Sequence, residues 1–215
     1  MEKQINKYFW IKSRLKKYWS IITFRGKISA DDLYFRMCLL DKLVFRTRFE
    51  FFMFYHGYQV SIGENVAIGH DAFIFCHANQ DCGPCEEQRE GSITIGSNVA
   101  IGGRFHADCY HDVLIGDDCL FGEDVLILTS NHGMNPEIPG GYVKQPFTIG
   151  KVVVEDGCWI GARVAILPGV TIGRKCIIGT NSVVTKSIPP YSIAGGIPAR
   201  VIKRWDFDMH KWKNV

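Results

Sequence analysis

The sequence predicts an all-β chain, wound as a stack of parallel coils of triangular cross-section, with an N-terminal amphipathic helical arm and a short C-terminal helix. Three observations predict the coil. Branched aliphatic residues recur every six positions through Val154, Ile160, Ile166, Ile172, Ile178 and Val184. Cys158, Val164, Val170, Cys176 and Ser182 occupy the position four later, and Gly161, Gly173 and Gly179 directly follow the aliphatic. The same phase appears upstream at Ile62, Ile68 and Ile74, at Ile95 and Ile101, and at Ile115, Phe121 and Ile127. A helix places apolar residues near every 3.6 positions and a lone strand every second, so a sustained period of six is neither as a continuous element. A short strand followed by a corner fits it. Three such units close a coil of about eighteen residues, stacked at roughly the 4.8 Å spacing of paired strands.

The arm at 1–58 is aromatic and basic. Ile5, Tyr8, Leu15, Tyr18, Trp19 and Ile22 stand near helical spacing among Lys7, Lys12, Arg14, Lys16 and Lys17, which gives an amphipathic basic face. It is expected to cap the first coil or a neighbouring subunit, with contact to anionic lipid through residues 1–30 as the competing reading. The prism and its loops occupy 59–203. Two stretches, 75–92 and 131–148, lack the repeat, are rich in Gly, Pro and polar residues, and read as loops thrown out from corners. The remainder makes roughly five coils, on the order of 25 Å tall. One aliphatic per unit points inward, and the small residues four later are expected in corners too tight for a large side chain. Cys119, Cys158 and Cys176 fall in those slots and read as inert packing residues. The last segment, 204–215, holds Trp205, Phe207 and Trp212 and reads as the terminal helix.

Composition bounds the function. With 47% hydrophobic and 22% charged residues, the 215-residue chain is neither disordered, collagenous nor coiled-coil. No apolar run is long enough to span a bilayer, and the N-terminus does not read as a secretion signal, so a cytoplasmic, possible membrane-peripheral location is expected. The eight cysteines mostly stand alone within the repeats and read as reduced thiols. Residues 1–30 hold eight Lys/Arg against one acidic residue, a net +7, so the other 17 basic and 21 acidic residues carry −4 of the whole-chain +3. Basic character thus belongs to the arm, and no nucleic-acid partner is expected.

From Ile115 onward the chain reads IGDDCLFGEDVLILTSNHG, then a loop, TIG, CWIGARVAILPGVTIG and VVTKSIPPYSIAGGIPARVIK. Over roughly Val60 to Lys203 it resembles the hexapeptide-repeat acyltransferases, above all the galactoside, maltose and polysaccharide O-acetyltransferases. The resemblance implies a left-handed parallel β-helix, a homotrimer, and acetyl-CoA bound between subunits as co-substrate, with no metal required. Handedness rests on the resemblance alone, since the general crossover rule favours the right hand. It implies His132, in Asn131-His132-Gly133, as catalytic base. An imidazole with the ordinary pKa of about 6.5 suits proton removal at neutral pH. Asn131 would orient the imidazole or the acceptor, or serve the turn. For coenzyme A the resemblance points to Ala162, Thr180, Thr185, Lys186, Arg200 and Lys203, with Trp159 packing beside the site. Strand backbone at Ala162 and Thr180 suits pantetheine amides, and the cations suit phosphates.

Acetyl transfer from a thioester needs a base, oxyanion donors and alignment, but no enzyme nucleophile. Where the resembling enzymes carry an asparagine near the reacting carbonyl, this chain reads Gly102-Gly103-Arg104. The oxyanion donor is therefore open, with the backbone at Gly140 or Gly141 as a candidate. His106, Asp108 and His111, on the preceding coil, are candidates to hold sugar hydroxyls. The expected activity is O-acetylation of a sugar, of a surface polysaccharide such as lipopolysaccharide or its precursor. N-acetylation of a nucleotide-linked amino sugar is the close alternative. A carbonic-anhydrase-like zinc site from His70, His106 and His111, a zinc knuckle from Cys76, His77, Cys82 and Cys85, and a non-catalytic scaffold are the remaining ones.

Overall fold

The computed structural model describes residues 59–77 and 90–215, so the helical arm at 1–58 and the cysteines Cys82 and Cys85 lie outside the described residues. Five coils follow. The first is β1 (Gln59–Ile62), β2 (Ala67–Ile68) and β3 (Phe73–Cys76); the second β4 (Ser92–Ile95), β5 (Ala100–Ile101) and β6 (His106–Cys109). The third is β7 (Val113–Ile115), β8 (Leu120–Phe121) and β9 (Leu126–Leu128). A short antiparallel pair, β10 (Ser130–Asn131) and β11 (Thr148–Ile149), then closes the base of a loop. The fourth coil is β12 (Val152–Val154), β13 (Trp159–Ile160) and β14 (Ala165–Ile166), and the fifth β15 (Thr171–Ile172), β16 (Ile177–Ile178) and β17 (Val183–Val184). Corresponding strands pair in parallel, giving three faces: β1-β4-β7-β12-β15, β2-β5-β8-β13-β16 and β3-β6-β9-β14-β17.

The six-residue aliphatics form the interior. Ile160, Ile166 and Ile172 are fully buried, and register stacks like on like: Ile127 against Ile166, and Ile166 against Val184. The residues four positions later are not confined to tight corners, which corrects the expectation for that slot. Phe105 occupies it and is fully buried, its ring edge-on to Phe121 at 6.0 Å. Both positions of each unit therefore point inward, and Ala72 in the coil before leaves room for the larger ring. Cys158 and Cys176 are buried, with thiols donating to the carbonyls of Gly173 at 3.1 Å and Pro189 at 3.0 Å. The neighbouring Cys119 thiol and burial push the Cys158 thiol well up, and burial does the same for Cys176, so both stay protonated and unreactive.

Two of the three corners turn through the left-handed region: Asn65, Asn98, Asp118 and Lys175 at one, Asp71, Arg104, Asp124, Arg163 and Asn181 at the next, all with φ near +55° to +60°. Short polar side chains tolerate that conformation best, which explains the Asn and Asp punctuation of the repeat. They also link coils: Asn65 Nδ2 donates to Asn98 Oδ1 at 3.1 Å, and Asn98 Nδ2 to Asp118 Oδ1 at 3.2 Å. The third corner, from the third face back to the first, carries both interruptions.

The C-terminal helix does not form. β18 (Ser192–Gly196) pairs in parallel with β16, then β19 (Ala199–Asp206) and β20 (Lys211–Asn214) continue the same sheet antiparallel. The aromatic segment expected to be a helix instead forms a cross-strand pair: Trp205 lies opposite Trp212, rings 5.3 Å apart and at 74°. The turn is held by Asp206, which accepts from the Met209 N–H at 2.7 Å and pairs with Lys213. Lys213, then the Met209 N–H, hold that carboxyl below the usual carboxylate range.

Candidate active site

Each coil ends at the third corner. The chain departs there after β3 at His77, crosses after β6 through Tyr110, His111 and Asp112, and departs again after β9 into the 131–148 loop. Stacking at the coil rise brings these three crossings one above another. Thr129, fully buried, latches two of them: its hydroxyl accepts from the N–H groups of Tyr110 at 2.7 Å and His111 at 3.0 Å and donates to the Asp108 carbonyl at 3.0 Å.

The base of the second loop is a ladder in which Ser130 lies opposite Ile149 and Asn131 opposite Thr148. The next cross-strand neighbours are His132 and Phe147, ring centroids 4.3 Å apart at 38°. His132 is exposed. Phe147 stacks on Tyr110 at 5.1 Å, and Tyr110 on His77 at 3.4 Å and 14°. His77 is buried, takes the edge of Phe75 at 4.1 Å, and bonds through Nε2 to Asp108 Oδ1 at 2.6 Å.

Further out, Gln145 clamps the loop. It is 2% exposed, accepts from the Asn135 N–H at 2.9 Å and donates Nε2–H to the Asn135 carbonyl at 2.7 Å. A side-chain amide thus replaces a strand partner. Gly133 is required beside it, because a Cβ there would sit 2.7 Å from Gln145 Cβ. Gln145→Ala is expected to cost about 1–3 kcal/mol by leaving both Asn135 backbone groups unpaired, and to raise proteolysis within 133–144. Limited proteolysis followed by mass spectrometry checks it, and an unchanged cleavage pattern would remove the clamp.

The cofactor candidates spread over one end of the prism. Ala162 and Thr180 lie in turns and not in strands as expected: they share the second corner in adjacent coils, where the Asn181 N–H donates to the Ala162 carbonyl at 2.9 Å. A Cβ on Gly161 would lie 2.6 Å from Thr180 N, so that position requires glycine. Thr185 and Lys186 leave β17 at the third corner, the one that carries His132. Arg200 and Lys203 lie on β19, Lys203 opposite Ile193 and Arg200 opposite Gly195. Trp159 is exposed on β13, in register with Leu120 and Ile177.

The acceptor candidates do not converge as a triad. His106 lies against Phe73 at 4.8 Å, and burial lowers its pKa. Asp108 faces the same way two residues on but is engaged by His77. His111 Nδ1 accepts from the Asp112 N–H at 2.6 Å, a local turn contact. Arg104 belongs to the second corner, where its guanidinium meets Asp124 at 2.6 Å and Glu123 at 2.8 Å, away from the His132 loop. Gly140 and Gly141 sit at the exposed tip of that loop with positive φ. His70 pairs with Asp71 at 2.8 Å, so the three histidines of the zinc alternative face different partners. Among the described residues no three His, Cys, Asp or Glu side chains gather as a metal site.

Sequence reasoning missed Tyr110, Phe147 and Gln145. The available signal was phase: Ile74 and Ile127 each end a run of three units, so both interruptions leave from one corner.

A family model, bacterial transferase hexapeptide (six repeats), matches residues 151–186. A protein of Mycobacterium tuberculosis named as an acetyltransferase is 36% identical over 149 residues, 67% of this chain and 44% of that one. The galactoside O-acetyltransferase of Escherichia coli is 39% identical over 127 residues, 55% of this chain and 60% of that one. An Escherichia coli protein named for O-acetyl transfer in lipopolysaccharide biosynthesis is 32% identical over 133 residues, 58% of this chain and 67% of that one. The chain thus spans 44% and 60% of the length of the first two relatives. Among solved structures, a galactoside acetyltransferase in complex with coenzyme A has the same fold, with a TM-score of 0.58 at 24% identity, covering 90% of this chain and 78% of that one.

Proposed function

This chain belongs to the hexapeptide-repeat transferases, and from that premise we propose that it is an acetyl-CoA-dependent O-acetyltransferase acting on a sugar of a surface polysaccharide or its precursor. The observation that carries the reading is the exposed imidazole of His132, held against Phe147 at the base of a loop. Relatives named for galactoside and lipopolysaccharide O-acetyl transfer support the acceptor class.

On this reading His132 takes the proton of the acceptor hydroxyl as its oxygen attacks the thioester carbonyl. The carbon–oxygen bond forms, the carbon–sulfur bond breaks, and the imidazolium returns the proton to the departing coenzyme A thiolate. Ala162 and Thr180 would meet the pantetheine amides, while Lys186, Arg200 and Lys203 would meet phosphates. These groups occupy two different corners and the terminal hairpin, an arrangement that suits a left-handed homotrimer with the cofactor between subunits. A cytoplasmic reaction is part of this proposal, and contact between the basic stretch 1–30 and an anionic membrane surface is its second part. Among the described residues, no helix is long and apolar enough to cross a membrane.

The test is transfer of label from radioactive acetyl-CoA to a panel of galactosides, polysaccharide oligosaccharides and nucleotide-linked amino sugars. Label on a hydroxyl is expected. Label confined to amines would make the enzyme an N-acetyltransferase, and no transfer to any sugar would remove both readings.

A further inference from the structure

We infer that Phe147 and Tyr110 are positioning residues that hold the His132 ring for proton transfer, and that the buried His77–Asp108 pair anchors them. The inference rests on the reading of His132 as base and adds what fixes it.

Among the described residues the His132 ring makes no hydrogen bond, and Phe147 is its one aromatic neighbour, 4.3 Å away. Two cross-strand residue pairs close the base of the loop that carries it, and the Gln145 clamp lies beyond the ring, on Asn135. An exposed side chain at the mouth of such a loop samples several rotamers unless something blocks them. Phe147 can block them only if it cannot itself turn away. Its other side is covered by Tyr110 at 5.1 Å, and Tyr110 in turn lies on His77 at 3.4 Å, nearly parallel.

The column ends on a residue built to stay still. His77 is 7% exposed, Phe75 meets its ring edge-on, and Asp108 takes its Nε2 at 2.6 Å. A charge-assisted bond fixes the plane of the ring as well as its position, which an aliphatic or phenyl side chain would not receive from a carboxylate. The opposite nitrogen, Nδ1, is buried without a partner among the described residues. Such a group is destabilising, so packing alone would favour an apolar ring here. The carboxylate anchor is what a histidine adds. The coil geometry makes this possible, since the three crossings of one corner are spaced at the coil rise and offer their rings face to face.

The test uses the full chain with three variants, Phe147→Leu, Phe147→Tyr and Tyr110→Leu. Turnover is read as thiol release from acetyl-CoA with p-nitrophenyl β-galactoside, and as slow hydrolysis without it. The ring protons of His132 are followed by NMR. Phe147→Leu is expected to lower kcat at least about tenfold with KM for acetyl-CoA changed less than about twofold, and Phe147→Tyr to restore most of it. The ring-current shift of the His132 protons is expected to vanish in Phe147→Leu, persist in Phe147→Tyr and weaken in Tyr110→Leu. An unmoved His132 resonance in Phe147→Leu, or equal losses in the leucine and tyrosine variants, overturns the inference. If Phe147→Leu fails to fold, the tyrosine variant and Tyr110→Leu decide by the same shifts. Turnover lost in His132→Ala but kept in Phe147→Leu sinks the positioning role and spares the base. Turnover kept in His132→Ala sinks the base reading, and the ring shift then decides the column by itself.

Discussion

His132→Ala is expected to lower kcat by at least about a hundredfold, the usual range for loss of a positioned general base, while the affinity for coenzyme A stays within about twofold of the parent. The two halves of this result have separate causes. The imidazole is the exposed group beyond the ladder of Ser130 with Ile149 and Asn131 with Thr148, and alanine removes the ring without touching that ladder. The cofactor candidates lie on other elements, Ala162 and Thr180 at the second corner and Arg200 and Lys203 on β19. Calorimetric titration with coenzyme A, beside rapid-quench acetyl transfer, separates binding from chemistry. A parallel loss of affinity would mean that His132 holds the cofactor instead of activating the acceptor. An unchanged kcat would leave a scaffold.

The interior of the prism was legible because one rule repeats. Every unit of the triangular coil turns a branched aliphatic inward at the same place, so Ile160, Ile166 and Ile172 announce themselves by spacing alone. Most occupants of the slot four later are small, which suggests a corner, but Phe105 shows that the constraint is the volume shared with the coils on either side. The terminal hairpin does not show in the sequence because Trp205, Phe207 and Trp212 mark only an apolar segment, and the partner strand decides what it forms. The loop carrying His132 was visible as a break in the repeat. Its support was not, since Phe147, Tyr110 and His77 are far apart in sequence and meet only when coils stack at one corner. The phase of the repeat sends both interruptions out at one corner, but which rings meet there has no period of its own.

Ile166→Ala is expected to be the most damaging apolar truncation tested, costing about 2–5 kcal/mol, the range for deleting a fully buried aliphatic side chain. Ile166 has no exposure, and register places Ile127 above it and Val184 below. Neither neighbour can close the gap, because each is fixed by parallel pairing to its own coil. The loss is a large share of the roughly 5–15 kcal/mol by which domains are stable. Since each coil touches mainly its neighbours, the damage should be local. Hydrogen exchange should accelerate first in β9, β14 and β17, and later in β1 and β4 at the far end. Leu120→Ala, on β8 and 49% exposed, serves as the control, with a change of about 1 kcal/mol or less because half of its area is already near water. The readouts are the denaturant midpoint and exchange mapped by peptide. Equal costs for the two variants would mean that the six-residue column is not where the stability resides. Uniform acceleration across all five coils would mean that they unfold as a single unit. On the proposed reading the outcome also bears on catalysis, because β14 lies between the corner of Ala162 and the corner of His132.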